Sequence, residues 1–145
     1  MVEDTLETGH WPCLYTWSGN LVLSYVDVTN GRLRFARATA DPPTSATDWV
    51  RMNVDETNTA GNYGTALVID TAGTAHVAYF DGLNEDLLHA STTDTSCDAA
   101  ADWTLDAPDT GTAAGYYPSM TLVDGYPAVA YQSNGQLKYA YFVPE

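Results

Sequence analysis

A tyrosine motif recurs along this chain at spacings of 54 and 52 residues: SYVD ends at Asp27, AYFD at Asp81 and AYQS at Ser133, so Tyr25, Tyr79 and Tyr131 are equivalent. The next apolar stretch keeps the same ruler. LRFARA from Leu33, LLHAST from Leu87 and LKYAYF from Leu137 align, with Ala36, Ala90 and Ala140 in one small-residue slot. A repeat of this length is one supersecondary unit copied, and a single copy cannot bury its apolar surface alone. The ends of the chain follow the same register. MVEDTLETGHWP from Met1 aligns without a gap onto NVDETNTAGNYG from Asn53, so the first residues read as the end of a copy.

Each copy reads as short strands. The first covers 13–17, 65–70 or 119–124, and a turn of SGN, TAG or DG leads to the tyrosine strand. A second turn carries Asn30-Gly31, Asn84-Glu85 or Asn134-Gly135; Asn and Gly accept the positive φ that tight hairpin turns need. The tyrosine strands are apolar on successive residues, as in Ala75, Val77, Ala78, Tyr79 and Phe80, and such a strand must be covered on both faces. A fourth strand follows Asp48-Trp49 and Asp102-Trp103, whose tryptophans are expected to cover the outer sheet edge. No stretch carries a capped 3.6-residue pattern, so almost no helix is expected.

Four-strand units of this length, stacked around an axis, are the blades of a β-propeller. The run GYYPSMTLVDGYPAVAYQSNGQLKYAYF from Gly115 resembles the blade repeated in many large bacterial exported proteins, where a Tyr/Ser-rich strand, a (S/A)YYD-like strand and an NGxLKYA-like strand follow one another. The resemblance covers nearly the whole chain and implies an all-β propeller of exported, secreted or cell-surface origin. It implies no particular ligand. The expected architecture is one domain, 1–145, of three four-stranded blades, with repeats at about 9–57, 61–110 and 115–145 and residues 1–5 as a completing outer strand. Propellers hold four to eight blades, so a six-bladed ring is expected from a homodimer that exchanges its N-terminal strands.

Nineteen acidic residues against five basic ones give a formal charge of -14, which repels nucleic-acid backbones and anionic membranes. No run of eighteen apolar residues is present, and the N-terminal residues have neither the basic nor the apolar segment of a signal peptide. Cys13 and Cys97 fall at non-equivalent places in the repeat, which argues against a disulfide between them and for a small buried residue and a loop thiol. No metal or other cofactor is expected.

On a propeller, the loops leading into each first strand share a face with the turns after each second strand. The candidate ligand-binding residues are therefore Trp11, Tyr63 and Tyr117 where the first strands begin, His10, Asn62 and Tyr116 beside them, and Asn30, Asn84 and Asn134 in the turns. Aromatic faces flanked by amides suit sugars, whose apolar faces stack while their hydroxyls hydrogen-bond. Asp27 and Asp81 close equivalent strands and are expected to accept turn N–H groups; His76 and His89 sit in strands as packed aromatics. No catalytic motif occurs. Equivalent carboxylates describe scaffold, whereas glycoside hydrolysis needs two uniquely positioned ones. The expected function is a non-catalytic, lectin-like carbohydrate-binding module and not an enzyme, with a ligand-free self-assembling scaffold and a propeller hydrolase as alternatives.

Overall fold

The structure is a computed structural model that describes residues 1–3, 7–57, 60–94, 96 and 98–142. Three antiparallel sheets follow one another along the chain. The first contains β1 (His10–Trp17), β2 (Asn20–Asp27), β3 (Arg32–Ala38) and β4 (Trp49–Asp55) in sequential order. The second contains β5 (Ala60–Ile69), β6 (Ala75–Asp81), β7 (Asp86–Thr92) and β8 (Thr104–Asp109). The third contains β9 (Tyr116–Val123), β10 (Tyr126–Ser133) and β11 (Gln136–Tyr141), with β11 at its edge. The expectation of three four-stranded sheets is thus met by two, and the third has three strands among the described residues. Met1–Glu3 form no strand of a sheet, and Thr5, expected to extend that segment, lies outside the described residues.

The helical content of the described residues is two single-turn 3₁₀ helices, Ala46–Asp48 and Ala100–Asp102. Each is closed by its aspartate. Asp48 accepts N–H bonds from Thr44 and Ser45 at 2.8 Å, and Asp102 accepts one from Ala99 at 3.0 Å. Of the tryptophans that follow, Trp49 opens the outer strand β4 and packs with Tyr25, Ala36 and Ala38, whereas Trp103 does not cover an outer edge as expected. Trp103 is buried between the first two sheets, its ring 5.1 Å from that of Phe35 and its indole N–H on Met52 Sδ.

Successive side chains of a strand point to opposite faces, so a sheet between two others must be apolar on both. All seven residues of β6 are buried. Val77 and Tyr79 belong to the core shared with Val22, Val26, Leu33 and Phe35 of the first sheet. Ala78 and Leu87 face the other way and pack with Val129 and Tyr131 of the third. The inner strands β1, β5 and β9 lie side by side in that order. Polar contacts index them: Ser24 and Thr65 share a buried hydroxyl hydrogen bond of 2.8 Å, and the Trp17 indole donates to the Gly73 carbonyl at 2.9 Å.

One carboxylate and one tyrosine meet at each sheet junction. Asp55 ends β4 and accepts a 2.7 Å hydrogen bond from Tyr79 of the second sheet; Asp109 ends β8 and accepts one of the same length from Tyr131 of the third. Lys138 adds a 2.8 Å ion pair to Asp109. That ammonium holds the Asp109 carboxyl below its ordinary range, and burial pushes the Tyr79 and Tyr131 phenols up. Glu3, which has no strand, does the same on the first sheet, accepting from Tyr25 at 3.1 Å and pairing with Arg34 at 3.4 Å.

Candidate functional site

All three inner strands begin earlier than their alternation suggests, because each carries a register irregularity near its start: between His10 and Cys13 in β1, Ala60 and Thr65 in β5, and Tyr116 and Ser119 opposite Ala130 and Gln132 in β9. An extra residue in one strand breaks the pairing and re-aims the side chain that it carries. Trp11 and Tyr117 take φ values of 49° and 52° at these places. For bulky residues that left-handed backbone costs about 1–2 kcal/mol each and persists where surrounding contacts impose it.

The irregular starts of β5 and β9 bring three tyrosines together. The ring of Tyr63 lies 4.4 Å from that of Tyr116 and 5.7 Å from that of Tyr117, both edge to face, and Phe80 backs the group at 4.4 Å from Tyr116 and 5.1 Å from Tyr63. Tyr117 is 63% exposed, while Tyr63 and Tyr116 are half-buried. Two hollows flank the group. One, about 290 Å³, is lined by Asn62, Tyr63, Phe80, Glu85 and Tyr116; the other, about 310 Å³, by Tyr63, Tyr116, Tyr117, Gln132 and Asn134. Burial, ahead of the neighbouring Glu85 charge, raises the Tyr116 phenol above its ordinary value and keeps it a neutral donor.

Five of the nine candidate residues therefore meet here: Asn62, Tyr63, Tyr116, Tyr117 and Asn134. The other four do not. Trp11 packs on the core of the first two sheets with its ring 5.1 Å from that of His10, and His10 pairs with Glu7 at 3.3 Å. Asn30 and Asn84 are turn residues. Asp27 accepts both the backbone N–H and the side-chain amide of Asn30, at 3.1 and 2.7 Å, and Asp81 accepts the Leu83 N–H and the Asn84 amide, each at 2.8 Å. The turn role expected for Asp27 and Asp81 thus engages the side-chain amides of their asparagines within the turns. Ser133 replaces that aspartate in the third copy, and Asn134, at φ 48°, lines the second hollow.

The two loop sets share this face. Ala60 N–H donates to the Gly31 carbonyl and Ala114 N–H to that of Glu85, at 2.9 and 2.8 Å, tying each incoming loop to the preceding sheet's turn.

At the far end of the same strands lies a cleft of about 520 Å³ between the second and third sheets. Asp70, His76, His89 and Asp106 form a hydrogen-bonded chain along its wall. Asp70 Oδ2 lies 3.2 Å from His76 Nε2, His76 Nδ1 3.0 Å from His89 Nε2, and His89 Nδ1 2.9 Å from Asp106 Oδ1. Burial, and the His89 ring beside it, hold the His76 pKa below its ordinary value despite Asp70. Burial also opposes the Asp70 carboxylate, but the Thr74 N–H and His76 hold that group below its usual range. With His76 neutral, an Nε2–H donated to Asp70 leaves Nδ1 to accept from His89. Both histidines are buried, but sequence reasoning missed their polar partners: no spacing rule marks three strand residues and one in the turn after β5 as one chain.

Among the described residues no group of three or more His, Cys, Asp and Glu is arranged to hold a metal ion. Cys13 is a half-buried free thiol; Cys97 lies outside the described residues.

No protein-family model matches the chain, and no curated protein does. Solved structures do. A bifunctional GH43-CE protein from Bacteroides eggerthii superposes with a TM-score of 0.58 at 16% identity, over 95% of this chain and 19% of its own. An alpha-L-arabinofuranosidase from Lactobacillus brevis superposes with a TM-score of 0.53 at 11% identity, over 92% of this chain and 52% of its own. The chain thus spans a fifth to a half of these two proteins, and the likeness establishes a β-propeller-like, all-β fold. The expectation of a non-enzyme is withdrawn on this finding, because the solved structures that share the fold bear the names of enzymes.

Proposed function

We propose that this chain is a carbohydrate-binding part of a β-propeller, with the sugar held at the Tyr63, Tyr116 and Tyr117 group and two copies closing a ring of six sheets. The observation that carries the sugar reading is the strained backbone at Tyr117, which holds a largely exposed aromatic ring against a polar hollow. Stacking on a ring face, with hydroxyls met by Asn134, Gln132 and Asn62, is the recognition chemistry of a saccharide. The net charge of -14 and Glu85 beside the site favour a neutral sugar over an acidic one. That the solved structures sharing the fold include an arabinofuranosidase agrees with this class of ligand. Exported or cell-surface placement belongs to the same proposal and is supported by composition and by the resemblance of the repeat.

Calorimetric titration against a panel of neutral oligosaccharides tests the reading. Saturable binding is expected, weakened about tenfold or more by Tyr63→Ala and Tyr117→Ala, equivalent to the loss of one good stacking contact, and unchanged by Asn30→Ala. Absence of binding returns the molecule to the scaffold reading, and binding indifferent to both tyrosines overturns the tyrosine site.

A further inference from the structure

We infer that the partner of this chain is a second copy, and that residues Met1–Glu3 of each protomer form the fourth strand of the other's third sheet, locked there by the Glu3 carboxylate. The inference rests on the two-copy ring proposed above and names the surfaces that join it. Asp55 and Asp109 each end a fourth strand and each receive the tyrosine hydroxyl of the following sheet. Glu3 receives Tyr25, the equivalent hydroxyl, and pairs with Arg34, which holds the repeat position of the Lys138 that pairs with Asp109. Arg51 secures the segment further, donating to the Val2 carbonyl at 3.0 Å. Met1–Glu3 therefore lie against the first sheet as the tail of a preceding sheet's fourth strand would.

The third sheet presents the complementary surface. Leu137 and Tyr139 on β11 are 85% and 61% exposed, whereas Leu33 and Leu87, and Phe35 and His89, which hold the same two repeat positions, are at most 4% exposed. A strand tail without a sheet and an edge strand without a fourth neighbour among the described residues fit one another in a second copy related by a two-fold axis, which satisfies both at once and covers the β11 edge. The register is set by the other sheets: Leu33 faces Asp55 and Leu87 faces Asp109, so Glu3 faces Leu137 of the partner subunit.

Light scattering on the 145-residue chain and its variants tests this. The wild-type mass is expected to be twice that of one chain. Leu137→Asp is expected to halve it with the β circular-dichroism spectrum intact, because a charge is tolerated where the single chain is already open to water and rejected where a partner covers it. Leu83→Asp, a charge on an exposed leucine in a turn of the second sheet, is expected to leave the dimer whole. Glu3→Ala and removal of residues 1–3 are expected to raise the dimer dissociation constant by about tenfold or more. A monomeric wild type overturns the two-copy ring and this inference together. A dimer that withstands both Leu137→Asp and removal of residues 1–3 overturns the inference while the two-copy ring stands, and one broken by Leu137→Asp alone overturns the strand transfer.

Discussion

Leu87 and Leu137 occupy the same position of the repeat, yet the first is fully buried and the second is 85% exposed. The second sheet has a neighbour on each face, and the third has one. Nothing in the local sequence distinguishes the two leucines, because the strands around them, LLHA and LKYA, follow nearly the same pattern. What differs is the sheet that comes next. In an array of this kind, the worth of an apolar residue is set by its neighbour more than by its own strand, as nearest-neighbour stacking requires.

The largest expected effect is a direct test of that contrast. Phe35 is fully buried beside the rings of Trp17 and Trp103, so Phe35→Ala is expected to lower stability in denaturant titration by about 3–5 kcal/mol. Tyr139→Ala removes the ring from the same slot in the third sheet, and in a Leu137→Asp background it is expected to change stability by no more than about 0.5 kcal/mol. Equal costs at the two positions would break the comparison. A larger cost for Tyr139→Ala in the wild-type chain than in that background would sharpen it, by placing a partner over the open face.

A smaller effect separates the two clasps. Tyr79→Phe takes the hydroxyl donor from a carboxylate that is almost wholly buried and is expected to cost about 1–3 kcal/mol in the same titration. Tyr131→Phe is expected to cost less, because Lys138 still pairs with Asp109 and the site is partly open.

The smallest effect is in the pH dependence of the cleft between these sheets. The pKa of His76 is lowered by folding, so between its folded value and the unfolded value of about 6.5 the unfolded chain binds more protons. Its contribution is complete above that range and is lost as pH falls through it. Asp70 and Asp109 are also lowered, and their contribution disappears in a separate, more acid window below about 4. Thermal melts are therefore expected to fall below pH 6.5, and His76→Gln to flatten that limb while leaving the Asp109 part of the acid one. An unchanged slope in His76→Gln would assign the upper limb elsewhere.

Much of this fold was legible in the chain. The tyrosine ruler marks the strands, Asn-Gly marks the turns, and the unbroken apolar run of β6 requires cover on both faces, which it has. The role of Asp27 and Asp81 in their turns was legible for the same reason: it is settled within four residues of sequence. The site was only half legible. Tyr63 and Tyr117 were found by their equivalence, and the irregular strand starts that bring them together were not, since a bulge leaves no periodic trace. Trp11 shares their repeat position and points to a different neighbour. The histidine chain left no trace at all, because each of its contacts joins residues that local patterning treats as unrelated. Glu3 stood in register with Asp55, but its meaning depended on a tyrosine 22 residues away and on an arginine beside it.

By itself, then, the amino-acid order determined what depends on neighbours along the chain: strand, turn, repeat length and the alternation that makes a face apolar. The tertiary structure decided which faces are covered, which carboxylates meet tyrosines or histidines, and which of three equivalent aromatic rings reach a common hollow. The physical reason is that hydrogen bonds and dispersion contacts act over a few ångströms, and at each sheet junction those few ångströms are spanned by residues about twenty to fifty apart in sequence.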